Sequence, residues 1–123
     1  MSMGNAPPNS FMPRILKPLK AEAIAGKGSM PKLILEDNNM QVFFKQDDQF
    51  DQPLVEIRCK ILTNDCDFPT TPESLIFSIM WAKMLDESHR ELNYMAQLAG
   101  IEPGIAPTPD HILFTLSSYN DSV

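Results

Sequence analysis

From Pro72 to Ala99 the sequence carries the spacing of one long helix, and its first half is apolar nearly all the way round. Thr71-Pro72-Glu73 supplies the start. The Thr hydroxyl takes an orphan amide, Pro has no amide to leave unpaired, and Glu meets the positive end of the helix dipole. Gly100 supplies the stop, through left-handed backbone. A helix over 72–99 spans about 42 Å at 1.5 Å per residue. Ser78, Trp81, Leu85, Leu92, Ala96 and Ala99 form one stripe, flanked by Phe77, Met84 and Met95. On the opposite side, Ile76, Ile79 and Met80 give way in the second half to Lys83, Glu87, Arg90 and Glu91. The first half therefore needs cover on two sides, and a sheet supplies one. Leaving Leu75, Ile76, Ile79 and Met80 in water together costs several kcal/mol at roughly 25 cal/mol per Å².

The sheet is expected from residues 32–62, which alternate with period two. Leu33 and Leu35 share a face, and Asp37-Asn38-Asn39 suits a tight hairpin turn. Met40, Val42 and Phe44 then line one face of a second strand. In a third, Val55, Ile57, Cys59 and Ile61 oppose Glu56, Arg58 and Lys60. The pattern predicts a three-stranded antiparallel meander packed on the helix, hence an α+β domain over residues 32–123. Residues 101–109 read as a Pro/Gly loop. Beyond it, Thr108-Pro-Asp-His-Ile-Leu-Phe echoes Thr71-Pro-Glu-Ser-Leu-Ile-Phe, and the repeated cap chemistry predicts a short C-terminal helix. A fourth strand, with Ile112, Phe114 and Leu116 on one face, is the competing reading.

Residues 1–31 read as an extended arm, broken by Pro7, Pro8, Pro13, Pro18 and Pro31. Phe11, Ile15, Leu16 and Leu19 are too apolar for a solvated tail, which predicts an anchored arm. Charge divides along the same line. Residues 1–32 hold five bases against one acid, a net of +4; residues 33–123 hold five bases against fifteen acids, a net of −10. Arg14, Lys17, Lys20 and Lys27 are thus the residues expected to meet a negative surface: the chain's own body, a neighbouring copy, or nucleic-acid phosphates. Four charges and one stacking ring make nucleic acid the lesser partner.

Catalytic and cofactor motifs are weak. Gly26-Lys27-Gly28-Ser29 lacks the upstream glycine and the following helix of a phosphate loop. Cys59, Cys66, His89 and His111 do not have zinc-ligand spacing, so no metal or other cofactor is expected. Asp65 and Asp67 raise the pKa of the Cys66 thiol between them and blunt it as a nucleophile. The acids at 47, 48 and 51 sit in Asn/Gln/Pro-rich loop, where a solvated turn is the ordinary role. Two cysteines are too few for a disulfide framework, which favours a reducing, cytoplasmic setting. No stretch reaches the roughly 20 apolar residues of a membrane span.

These readings lead to a non-catalytic interaction subunit. It would assemble with itself or another protein through Leu75, Ile76, Ile79 and Met80, with the basic arm across an acidic surface, and a virus or phage particle is the architectural analogy. The alternative is a small acidic regulator that binds a host factor and competes with nucleic acid.

Overall fold

The computed structural model describes residues 8–18, 30–47, 50, 52–63 and 71–121. The chain gathers into two compact units, Met1–Leu16 with Leu54–Val123, and Lys17–Pro53. Its class is α+β with antiparallel sheets, as the periodicity predicts.

The second unit holds a hairpin of β1 (Lys32–Asp37) and β2 (Met40–Phe44). Asp37 pairs with Met40 across the two-residue Asn38-Asn39 loop, and the Asp37 carboxylate accepts the Asn38 amide at 2.7 Å. The ladder slips between Leu33 and Leu35, so Leu33 faces Phe43 while Leu35 faces Val42. Gln41 Nε2 donates across the strands to Glu36 Oε1 at 2.9 Å.

In the first unit, β3 (Leu54–Leu62), α1 (Pro72–Ser88), α2 (Arg90–Leu98), β4 (Glu102–Pro107) and β5 (His111–Tyr119) follow in order. The sheet order is β3-β5-β4, with both pairings antiparallel. This corrects the expected meander: β1 and β2 form their own ladder, and β3 takes the last strand of the chain as partner. All nine residues of β3 find register partners on β5, from Leu54 with Tyr119 to Leu62 with His111. For β3, matched length and alternation outweigh chain adjacency.

The expected C-terminal helix is likewise a strand, and the 101–109 loop is mostly β4. Thr108 Oγ1 does accept the His111 amide, at 3.2 Å, just as Thr71 Oγ1 accepts the Ser74 amide at 3.3 Å. At Thr71 that bond caps α1. At Thr108 it closes the β4–β5 turn, where the Thr108 amide also reaches the His111 carbonyl at 2.8 Å.

The single 72–99 helix is two helices broken at His89 (φ −107°, ψ 17°). The Leu85 carbonyl there faces the His89 amide at 3.2 Å, the Ser88 hydroxyl at 2.9 Å and His89 Nδ1 at 3.0 Å. Such crowding by local side chains competes with regular helix bonding. Both helices lie against β4. Their buried residues are small: Ser78, Ala82, Ala96 and Ala99, joined by Ile101. The expected stripe survives only in its small members, because Trp81 and Leu92 are about half exposed.

α2 ends in a Schellman pattern. The Gly100 amide reaches the Gln97 carbonyl and the Ile101 amide the Ala96 carbonyl, both at 3.0 Å, with Gly100 at φ +77°. A Cβ at Gly100 would lie 2.6 Å from the Tyr119 ring. Gly100→Ala therefore combines left-handed strain with displacement of Tyr119. It is expected to lower stability by about 2 kcal/mol, read by chemical denaturation.

Candidate functional site

The apolar surplus of α1 remains uncovered. Ile76 is 57% exposed, Ile79 44% and Met80 52%, while Leu75 is half-buried; Phe77 and Met84 next to them are also exposed. Thr71 and Pro72 set the phase of the helix, and the small residues Ser78 and Ala82 take its buried side. The large apolar residues are left facing outward. That surface is a candidate for a contact.

Residues 8–18 contain no helix or strand. The arm is nevertheless tied to the first unit at two points. Asn9 Nδ2 donates to the Met95 carbonyl at 2.6 Å, and Asp121 Oδ2 accepts the backbone amides of Arg14 and Ile15 at 2.6 and 3.0 Å. The attachment at Arg14 therefore runs through its amide. Phe11 is half-buried, whereas Ile15 and Leu16 are 57% exposed. Lys17 is exposed and belongs to the second unit. Leu19, Lys20 and Lys27 lie outside the described residues, as does Cys66. The role of Asp121 was missed in the sequence, although an acid beside a turn is a standard acceptor for free amides. Asp121→Ala is expected to raise hydrogen exchange at the Arg14 and Ile15 amides about tenfold, measured by NMR.

Two further clusters bring polar side chains together. A cleft of about 380 Å³ lies where α1, α2 and β4 meet, with Lys83, Asp86, His89 and Asn93 on the helices and Pro103 to Ile105 on the strand. Asp86, His89 and Asn93 brace the helix break. Asp86 Oδ1 accepts Asn93 Nδ2 at 2.8 Å, and His89 Nδ1 lies against the Leu85 carbonyl. In the β4–β5 turn, Thr108 Oγ1 and Asp110 Oδ1 both approach His111 Nδ1, at 2.8 and 2.7 Å. A nucleophilic relay needs hydroxyl and carboxylate on opposite ring nitrogens, so this group is a turn lock and not a triad. Among the described residues, no group of three or more His, Cys, Asp and Glu is placed to hold a metal ion. Among them, too, no helix is long and apolar enough to cross a membrane.

The Thr108 hydroxyl and the His111 ring hold the Asp110 carboxyl below the usual carboxylate range. A depressed carboxylate stabilises the fold above its unfolded pKa, and that contribution is lost as pH falls through the folded value. The β4–β5 turn is thus expected to loosen in acid below the ordinary carboxylate range. Asp110→Asn should flatten this dependence, followed by amide exchange at Thr108 and His111.

Comparison with known proteins decides what kind of domain this is. The family model described as the middle or third domain of peptidase M16 matches residues 4–123. The chain belongs to this family. A Schizosaccharomyces pombe protein named "Putative zinc protease mug138" is 21% identical over 115 residues, which is 94% of this chain and 12% of that protein. The chain thus spans about one eighth of that relative's length. The M16 assignment overturns the expectation of a virus or phage structural subunit, and with it the acidic host-factor regulator. Small size, an acidic body and an arm are shared by many architectures, and no residue pattern in the sequence pointed to a peptidase.

Proposed function

We propose that this chain serves as a non-catalytic scaffold domain of an M16-type peptidase, and that the outer face of α1 docks it on a neighbouring domain of that enzyme. The match of residues 4–123 to the middle or third peptidase domain carries the reading. The sequence adds support. Zinc peptidase helices hold two histidines four residues apart with a glutamate between, as H-E-x-x-H or H-x-x-E-H. This chain has histidines at 89 and 111 alone, and neither pattern occurs. On this reading its part in the enzyme is positional.

Ile76, Ile79 and Met80 would form the contact, with half-buried Leu75 at its edge, because each of the three stays about half exposed. Covering them returns several kcal/mol at roughly 25 cal/mol per Å². The basic side chains Arg14, Lys17, Lys20 and Lys27 would guide approach to an acidic neighbour, a salt-dependent effect on rate.

The test is a double variant, Ile76→Asp with Met80→Asp, in the peptidase that carries this domain. Both side chains are about half exposed, so the isolated chain should keep its fold within about 0.5 kcal/mol by urea denaturation. Association with the rest of the enzyme should weaken at least tenfold, and peptide hydrolysis should fall with it. Unchanged association at unchanged stability would end this reading of α1.

A further inference from the structure

The two outer edges of the β3-β5-β4 sheet differ, and the difference is readable from register. Thr108 and His111 form a hydrogen-bonded pair, so Glu102, Gly104 and Ala106 also bond inward to β5. The outward groups of β4 therefore belong to Pro103, Ile105 and Pro107. Two of these three have no amide to donate. Proline at outward positions is how an edge strand is closed to further pairing.

On the other side, the Thr63 amide bonds to the Asp110 carbonyl at 3.0 Å, which makes Val55, Ile57, Cys59 and Ile61 the inward-bonding residues of β3. The outward groups belong to Leu54, Glu56, Arg58, Lys60 and Leu62. All five carry amides and all five are exposed. Among the described residues β3 pairs only with β5. The edge is also chemically patterned. Leucines stand at its ends and Arg58 and Lys60 near its middle, on one face, while Ile57 and Ile61 are exposed on the other. Arg58 meets Glu56 at 2.7 Å in a pair open to solvent on both sides, which is readily exchanged for another carboxylate. Among the described residues Lys60 makes no ion pair.

We propose that the edge of β3 accepts an extended polypeptide segment as a further strand, with carboxylates at alternate positions opposite Arg58 and Lys60 and apolar side chains on the face of Ile57 and Ile61. Backbone bonds to the five outward residues supply the attachment, and the two cations select the occupant. This inference stands on the sheet alone and does not depend on the role given to α1.

The experiment titrates the full chain with blocked heptapeptides in which valine alternates with glutamate or with lysine, followed by NMR at low salt. The glutamate peptide should bind at least tenfold more tightly, with shifts at Leu54 to Leu62. N-methylation of the amides that would face β3 should abolish binding. The exposed double reversal Arg58→Glu with Lys60→Glu should invert the preference toward the lysine peptide. No binding, equal binding of the two peptides, or a preference unmoved by the reversal would overturn the proposal. None of these outcomes touches the Ile76 and Met80 test, so the two readings fail separately.

Discussion

Because β5 hydrogen-bonds along both of its edges, it joins two strands that are separated in sequence by both helices. β3 enters before α1 and β4 after α2, yet each finds its register on the same nine residues. Ser118 of β5 is the most deeply buried side chain described, at 1% exposure. Little else among the described residues of the first unit has comparable burial. Among the described residues the buried apolar side chains are Ala82, Ala96, Ala99 and Ile101, three of them alanines. The backbone ladder thus carries a share of the order that larger domains draw from packing.

The sequence made some elements readable and concealed others for a physical reason visible at two sites. Thr71-Pro72-Glu73 and Thr108-Pro109-Asp110 have the same chemistry, and each threonine accepts the amide three residues on. A hydroxyl that accepts at that spacing serves a helix cap and a strand turn equally well. What separates the outcomes is long-range: β5 alternates Ile112, Phe114 and Leu116 against Ile61, Cys59 and Ile57, a pairing that local spacing does not contain. The β1–β2 turn, the α1 cap and the Gly100 stop were legible because each is a short-range device.

Of the candidate contact surface, the α1 face was legible as a surplus of apolar perimeter, since that is a count of faces against available cover. Which members of the expected stripe are buried was not. The apolar pattern favours Trp81 and Leu92, while close approach to β4 favours Ser78, Ala82 and Ala96, and the close approach prevailed. The attachment of the arm through Asp121 lay beyond reach for another reason. A carboxylate taking two backbone amides leaves no mark in the identity of the residues that donate them.

That attachment has a mechanical consequence. Residues 14 and 15, the last turn of chain before the second unit begins at Lys17, are held at Asp121, just past the end of β5. Tension applied between residues 15 and 121 would therefore be borne first by two short bonds to one carboxylate.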